Sequence, residues 1–284
     1  MNSIYVLVLG TAQDGGFPQV GCFKKCCKYI DKPRLVSSIA IVNKENNSCW
    51  LIDVTPDFKQ QIELIKSFLS INFMPKINGI FLTHAHIGHY IGLVNLGTEV
   101  LNVKNVPVYA MPRMKFFLEN NAPFSFLIKS NNIIVNKIVD GYLELLDSVF
   151  IKSFLVPHRN ELSETVGYNI KSKYKSVIYI PDIDDWKLWE NDILNVVMDN
   201  NIIFIDGTFY SSNELGHRDI LKIPHPIITD SMKIFSVLDK KDAKKIFFTH
   251  LNHTNPILNK NSKERQFVLS EGYNILNDNQ VFEI

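Results

Sequence analysis

The sequence predicts an α/β fold in which sheet layers are covered by helices. Short apolar runs rich in β-branched and aromatic residues recur along the 284 residues, and their length is typical of strands. These runs are residues 38–42, 50–52, 80–82, 108–110, 149–156, 177–180, 202–205 and 246–248. Between them, segments 58–69, 186–197 and 231–238 have apolar residues at a spacing that favours helices. Because strands and helices alternate over the full length, we expect a single domain covering residues 1–284.

Aspartates precede two of these helices and are candidates for their N-caps. Asp57 stands before the first helix, and Asp184 or Asp185 stands before the second. An aspartate at this position accepts a hydrogen bond from a free backbone N–H of the first turn.

Composition and charge exclude several classes of protein. The formal net charge is +1, which does not favour nucleic acid or an acidic membrane as a partner. Lys24, Lys25 and Lys28 form one local basic cluster, which we expect to be a solvated loop. No apolar stretch approaches the roughly 20 residues that span a bilayer, and residues 4–9 are typical of a strand rather than a signal peptide. We therefore expect a cytoplasmic protein without a membrane partner.

Cysteines are clustered near the N-terminus, where Cys22, Cys26 and Cys27 lie within six residues. In a reducing compartment such clustering favours metal binding over a disulfide, although buried free thiols are the simpler alternative. Cys49 stands beside Trp50 in a predicted strand and is expected to be a buried apolar residue.

Three histidines follow one of the predicted strands within six residues, at His84, His86 and His89. A strand that ends in such a cluster brings neutral imidazole nitrogens to one place, and divalent transition metals prefer such ligands. The cluster therefore favours a metal-dependent enzyme over a generic α/β domain.

Further residues of the metal-ligand type follow other strands. Five predicted strand ends are each followed by such a residue, namely His84, His158, Asp182, Asp206 and His250. A single histidine or aspartate after a strand is usually a turn residue. Five of them indicate a shared site, since strand ends converge at one edge of a sheet.

The order of these residues resembles the metallo-β-lactamase superfamily, whose signature is His-x-His-x-Asp-His after a strand, followed by a His, an Asp and a final His. The matching residues are His84, His86, His89, His158, Asp182 and His250. Asp53 matches the aspartate that supports the motif loop, whereas Gly88 stands where the signature has an aspartate. The resemblance implies a four-layer αβ/βα sandwich, the metallo-β-lactamase fold, with the site at one edge. We expect its two halves to meet near residues 145–170.

A closer resemblance, to the coenzyme PQQ synthesis protein B family, rests on segments 8–19 and 249–256. Segments 206–209 and 223–226 also fit that family's order. Related members of the superfamily include a phosphonate-pathway phosphodiesterase and the tRNA 3′-processing endonuclease. The glycine-rich segment 10–16 lacks the spacing of a phosphate-binding loop and is expected to turn tightly near the site.

The residues predict one metal position and favour a second. His84, His86 and His158 would leave one position of a tetrahedral zinc ion open for water. A second ion would need His89, Asp182 and His250, with Asp182 bridging both. Since Gly88 removes one carboxylate, we expect lower affinity at the second position, and Zn, Fe and Mn all remain candidates.

Two other residues are candidates for catalysis beside Asp182. The resemblance implies that His225 donates a proton to the leaving group, while a loop histidine between Pro224 and Pro226 is the alternative. Asp206 is expected to orient His225 or a metal ligand through a hydrogen bond, unless it is an ordinary turn residue. His217 is expected to be a surface residue.

A structural zinc site is also predicted. Cys22, Cys26, Cys27 and His253 form a closed Cys3His ligand set, and a zinc site of clustered cysteines and a late histidine is found in the related phosphodiesterase. His250 and His253 are three residues apart, so one could face the catalytic site and the other the cysteines.

The favoured function is metal-dependent hydrolysis of a small ester, in particular a phosphodiester. The alternative from another class is an iron-dependent oxygenase of the pyrroloquinoline quinone biosynthesis type. A metal-binding protein without activity and a nuclease for structured RNA are weaker hypotheses, because Gly88 is the only sign of decay and no long basic patch is evident. The expected partner is a small-molecule substrate, and a homodimer is left open.

Overall fold

The computed structural model describes residues 3–28, 30, 32–215 and 223–284. In these residues the strands are β1 (Ile4–Gly10), β2 (Ser38–Asn43), β3 (Ser48–Ile52), β4 (Lys76–Phe81), β5 (Val106–Ala110), β6 (Ile133–Lys137), β7 (Leu143–Leu146), β8 (Val149–Leu155), β9 (Val166–Lys171), β10 (Ser176–Ile180), β11 (Ile202–Asp206), β12 (Ile246–Thr249), β13 (Asn274–Ile275) and β14 (Val281–Glu283). The helices are α1 (Lys25–Lys28), α2 (Phe58–Leu69), α3 (Ile87–Tyr90), α4 (Pro112–Asn120), α5 (Phe124–Lys129), α6 (Ile193–Asp199), α7 (Ile228–Phe235), α8 (Lys240–Ala243) and α9 (Lys263–Ser270).

The described strands form two seven-stranded mixed sheets. The first has the order β14-β1-β2-β3-β4-β5-β6, and the second has the order β13-β12-β11-β10-β9-β8-β7. Strands β3 to β6 run parallel in the first sheet, as do β10 to β13 in the second. Parallel neighbours require crossover connections, and the helices that make these connections cover the outer faces.

Alternate side chains of each strand lie on opposite faces of the sheet and pack into different cores. In β1, Val6 and Val8 belong to the core between the sheets, whereas Leu7 and Leu9 belong to the core under the helices of the first sheet. The central core also contains Tyr168, Tyr179 and Phe204 of the second sheet, and the outer faces of that sheet pack under α6, α7 and α9. Both faces of the central strands β2, β3, β10 and β11 are therefore buried, which explains why these strands are almost continuously apolar. The predicted four-layer αβ/βα sandwich is confirmed.

The local predictions differ from the structure at the helix starts. The Asp57 side chain makes no cap to α2 and instead accepts a hydrogen bond from Val36 N at 2.8 Å. The predicted helix over 186–197 is divided into a 3-10 turn (Trp186–Leu188) capped by Asp185 and helix α6 capped by Asp192. Periodicity alone cannot show such a break, because the apolar residues on both sides of it face the same core.

The chain passes from one sheet to the other earlier than expected. β6 ends the first sheet at Lys137 and β7 begins the second at Leu143, so the crossing lies at residues 138–142 rather than 145–170. The C-terminal strand β14 then returns to the first sheet and pairs with β1. Among the described residues, no helix combines the length and apolarity needed to cross a bilayer.

Strand direction determines where the functional side chains lie. Asp53 follows β3, Thr83 and His84 follow β4, Asp182 follows β10, and His250 follows β12. Each of these strands is parallel to a neighbour, and the carboxyl ends of parallel strands meet at one edge of a sheet. The phenol of Tyr168 in β9 joins the two sheets near that edge by donating a hydrogen bond to Leu82 O at 2.7 Å.

We expect Tyr168→Phe to lower the free energy of unfolding by about 1–2 kcal/mol, because the buried carbonyl of Leu82 would lose its partner from the other sheet. Urea unfolding followed by circular dichroism measures the change. Tyr174→Phe is the matched control, since Tyr174 is 62% exposed, and should change stability by less than about 0.5 kcal/mol. Equal stability of the two variants would show that the bond between the sheets contributes nothing.

Candidate metal centre

The buried carboxylate of Asp53 orients two histidines of the motif loop. Asp53 Oδ2 lies 2.6 Å from His89 Nδ1, and both Asp53 oxygens accept hydrogen bonds from Thr83 Oγ1 at 2.9 and 3.0 Å. The same Thr83 hydroxyl lies 2.9 Å from His84 Nδ1. Because Nδ1 of each ring is engaged in this way, Nε2 of His84 and of His89 is the nitrogen left to bind a metal.

The first group of candidate ligands consists of His84, His86, His158 and Asp182, whose ligand atoms all lie within 4.8 Å of one another. His158 Nε2 and His86 Nδ1 are 3.3 Å apart. This equals the nitrogen separation of about 3.3 Å that follows from a tetrahedral ion with zinc–nitrogen bonds of about 2.0–2.1 Å. His158 Nδ1 donates to Asp184 Oδ1 at 2.8 Å, so Asp184 orients a ligand instead of capping a helix.

The two oxygens of Asp182 face different sets of imidazoles. Oδ1 is 3.6 Å from His158 Nε2, whereas Oδ2 is 3.2 Å from His89 Nε2 and 3.4 Å from His250 Nε2. A carboxylate in this position can bridge two ions, each held by its own imidazoles. The structure therefore brings together all six residues that the motif predicts as ligands of the catalytic centre.

A second aspartate, Asp206, orients His225 and His250 in the same manner. His225 Nδ1 donates to Asp206 Oδ2 at 2.7 Å, and Thr208 Oγ1 donates to Asp206 Oδ1 at 2.7 Å. Thr208 Oγ1 also lies 2.9 Å from His250 Nδ1. His250 adopts a left-handed backbone conformation (φ +56°), as does Asp53 (φ +66°), and such conformations are uncommon for these residue types outside functional sites.

The electrostatic environment keeps three of these imidazoles neutral, which is the form that binds metal. Burial lowers the pKa of His84 and of His250, and burial lowers the pKa of His86 to about 4. Burial also opposes the charged form of His89, but the carboxylates of Asp53 and Asp182 outweigh it and raise its pKa. The two carboxylates thus stabilise positive charge at this position.

Burial likewise opposes the charged form of His225, but the Asp206 carboxylate outweighs it and raises the pKa of His225. His225 is almost fully buried and its ring lies 5.3 Å from that of His158 and 5.8 Å from that of His250. His225 also forms a group with Asp182 and His250 in which all ligand atoms lie within 4.8 Å, so it stands among the ligands of the centre and can contact a molecule bound there.

A metal ion fits these residues because several buried polar atoms have no hydrogen-bond partner. In the described residues these include His84 Nε2, His89 Nε2, His250 Nε2 and Asp182 Oδ2. Buried polar atoms are normally satisfied, and leaving one unpaired costs about 1–3 kcal/mol. Four such atoms that converge on one place indicate that cations belong between them.

Asp14 is a residue of this site that the sequence did not single out. Its Oδ1 lies 3.6 Å from His89 Nε2, is buried and has no hydrogen-bond partner. A Cβ added at Gly88 would overlap this oxygen and would lie 2.8 Å from Asp14 Cα. The departure from the motif at position 88 was the available signal, but no local pattern indicates that an aspartate 74 positions earlier stands in that space.

The predicted structural site is also assembled in the fold. Cys22, Cys26, Cys27 and His253 form a group with all ligand atoms within 4.8 Å. Cys22 Sγ and Cys26 Sγ are 3.9 Å apart, and His253 Nδ1 is 3.7 Å from Cys26 Sγ and 3.3 Å from Cys27 Sγ. Tetrahedral zinc with zinc–sulfur bonds of about 2.3 Å implies sulfur separations of about 3.8 Å.

Cys49 takes no part in these groups. Cys49 is buried in β3, where burial raises the pKa of its thiol to about 12. His217 lies outside the described residues.

We expect Cys27→Ala to bind one zinc ion fewer than the unchanged protein and to melt about 5–10 °C lower. The reason is that an ion at 100 times its dissociation constant stabilises a fold by about 2.7 kcal/mol, and each kcal/mol shifts the melting temperature by about 2–4 °C. Zinc analysis by mass spectrometry and differential scanning calorimetry measure both effects.

Cys49→Ala is the matched control for this substitution. It also removes one thiol and is expected to lower stability through a small cavity, but it should leave the zinc content unchanged. An unchanged zinc content in Cys27→Ala would contradict the Cys3His assignment.

Comparison with known proteins agrees with this geometry. A coenzyme PQQ synthesis protein B from Klebsiella pneumoniae is 26% identical in an alignment that covers 96% of each protein. The crystal structure of Zn²⁺-bound PqqB from Methylobacterium extorquens superposes with a TM-score of 0.82 at 22% identity and covers 99% of this chain and 100% of that one. A diphosphatase of the PhnP family superposes with a TM-score of 0.69 at 23% identity, covering 99% and 97% of the two chains.

The model of the β-lactamase superfamily domain matches residues 50–251, which is more than half of the chain and includes every histidine of the catalytic groups. This chain therefore belongs to the β-lactamase superfamily, has the metallo-β-lactamase fold and is a homologue of PQQ synthesis protein B.

Proposed function

We propose that this protein is a cytoplasmic hydrolase of a small ester, and that its substrate class is a phosphodiester. The observation that carries the proposal is the pair of His225 and Asp206 beside the two sets of imidazoles that the two oxygens of Asp182 face. A buried, carboxylate-supported histidine next to such a centre is the arrangement needed to protonate a leaving oxygen. The PhnP-family neighbour is a diphosphatase, which supports a phosphoryl compound as the substrate.

His84, His86 and His158 would hold one ion, and His89, His250 and Asp182 would hold the second, with Asp182 presenting one oxygen to each position. When bound, such ions lower the pKa of a water molecule towards about 7 and stabilise charge on the attacking and leaving oxygens. The protein contributes the orientation of these ligands through Asp53, Asp184 and Asp206.

His225 supplies the proton in this mechanism. Its Nδ1 proton is held by Asp206, so its Nε2 is the nitrogen that faces a bound ester. As the ester bond breaks, the leaving oxygen accepts a proton from Nε2, and the Asp206 carboxylate stabilises the charged ring until that moment. The Asp206 hydrogen bond also keeps the ring from rotating, which positions the donor before the reaction.

We expect His84→Ala and His158→Ala to abolish hydrolysis of bis(p-nitrophenyl) phosphate and of cyclic nucleotides, with at least a 100-fold loss of kcat/KM, because each removes a ligand of the first group. Release of p-nitrophenol measures the rate for the first substrate, and chromatography of the nucleoside monophosphate measures it for the second. Asp230→Asn, an exposed change on α7, is the control and should keep full activity. A metal-replete protein that is inert towards a broad panel of esters would contradict the proposal.

We expect His225→Gln to discriminate between leaving groups. A general acid contributes about 10²–10⁴-fold where the leaving oxygen needs a proton, but little where the leaving group departs readily as an anion. The variant should therefore lose about 100-fold or more in kcat towards alkyl phosphodiesters and much less towards p-nitrophenyl esters. Equal losses on both substrates would exclude a proton-donor role, and the metal content of the variant should match that of the unchanged protein.

The second candidate function is an iron-dependent oxygenase of the pyrroloquinoline quinone biosynthesis type. Similarity to PQQ synthesis protein B over 96% of the chain favours it. The complete set of three motif histidines and the buried proton donor favour hydrolysis instead. Anaerobic loading with iron followed by oxygen-uptake measurements with tyrosine-containing compounds separates the two, because a hydrolase should consume no oxygen.

A further inference from the structure

We propose that Asp14 is the carboxylate ligand of the second metal position, in place of the aspartate that the superfamily motif has at position 88. The second position then consists of Asp14, His89, His250 and the shared Asp182. This inference rests on the metal centre of the proposed function but not on the identity of the substrate.

The first argument is the convergence of unpaired buried atoms. Asp14 Oδ1 forms a group with His89 and His250 in which all ligand atoms lie within 4.8 Å. Asp14 Oδ1, His89 Nε2, His250 Nε2 and Asp182 Oδ2 are all buried without a hydrogen-bond partner. A buried carboxylate oxygen without a donor is costly, and a cation shared with two imidazoles and a second carboxylate removes that cost.

The second argument is the space at Gly88. The backbone of Gly88 is not left-handed and lies within helix α3, so its conformation does not require glycine. A side chain is excluded because a Cβ would overlap Asp14 Oδ1 and approach Asp14 Cγ to 2.9 Å. The Asp14 carboxylate thus occupies the space next to His89 that an aspartate side chain at position 88 would enter.

The third argument is that the loop carrying Asp14 is fixed to the segment carrying His250. Gln13 N donates to Leu251 O at 3.0 Å, and Leu251 N donates to Thr11 O at 2.8 Å. Gly16 N closes a turn around Asp14 by donating to Gln13 O at 2.7 Å. These backbone bonds hold Asp14 and His250 at a set separation, which is the preorganisation that a metal site needs.

This assignment changes the expected metal affinity of the second position. The motif by itself gives that position one carboxylate, from Asp182, because Gly88 has no side chain, and it therefore predicts weak binding. With Asp14 the second position has two carboxylates and two imidazoles, a ligand set sufficient for a divalent transition metal.

The test is the number and affinity of ions in metal-free protein titrated with zinc. Isothermal titration calorimetry of the unchanged protein should show two ions at the histidine centre besides the ion of the cysteine site. Asp14→Asn should bind the second ion at least 10-fold more weakly while the other ions bind as before, since it removes a charged ligand without changing shape. The control Asp230→Asn should behave as the unchanged protein.

A substitution at position 88 tests the same assignment from the opposite side. Gly88→Ala should displace the Asp14 carboxylate and weaken the second ion as Asp14→Asn does. The double variant with Asp14→Gly and Gly88→Asp should bind the second ion more tightly than Asp14→Gly alone, because it returns a carboxylate to the same place. The loop must move slightly to admit it, since the new Cβ would lie 2.8 Å from the Cα of residue 14. Circular dichroism and anomalous diffraction at the zinc edge verify that each variant is folded and locate its ions.

The outcomes separate this inference from the proposed function. Unchanged affinity of the second ion in Asp14→Asn, or binding of only one ion at the histidine centre of the unchanged protein, would overturn the role of Asp14 whatever the activity. Loss of the second ion in Asp14→Asn would support it even if no ester were hydrolysed.

Discussion

The buried carboxylate of Asp182 is the group on which the rest of the centre depends. Asp182 is 2% exposed. It follows a parallel strand of the second sheet and lies between two sets of imidazoles. A carboxylate can be buried there because imidazoles face both of its oxygens, with His89 among them held in its charged form by Asp53 and Asp182. Burial opposes its charge, but the neighbouring His250 and His89 outweigh that effect and keep the pKa of Asp182 well below its usual value.

Each half of the chain orients two histidines around this carboxylate with one aspartate and one threonine. Asp53 holds His89 directly and reaches His84 through the hydroxyl of Thr83. In the second half of the chain, Asp206 holds His225 directly and reaches His250 through Thr208. In each case one aspartate determines the tautomer and orientation of two rings, so that the ligand nitrogens are directed before any ion binds.

The Cys22, Cys26, Cys27 and His253 group connects the N-terminal loop to the C-terminal ligands. His253 contacts Cys26 and Cys27, and His250 lies three residues earlier on the same segment. The loop with Asp14 pairs with that segment through Ala12 and Leu251. An ion held by the cysteines would therefore stabilise the segment that presents both His250 and Asp14, although it takes no part in the reaction itself.

The sequence alone determined the strands and the motif ligands, because both follow from local signals, whereas the four-layer arrangement was implied by the resemblance to the superfamily. Apolar runs of strand length predicted nine strands, and His84, His158 and Asp182 each follow such a run after one residue. The cysteine cluster and His253 were recognisable by residue type. The continuous helix predicted over 186–197 and the cap predicted at Asp57 were wrong, because packing against the body competes with local preference.

Tertiary structure alone decided which residues complete the centre. Thr83, Thr208 and Asp184 have no recognisable motif, and their roles depend on the distance to a ring that folding brings within 3 Å. Asp14 is the clearest case: position 88 shows in the sequence that a carboxylate is missing, but not where another one lies. The reason is physical, since a metal ion selects ligands by their positions around a point, and separation along the chain does not constrain which side chains meet there.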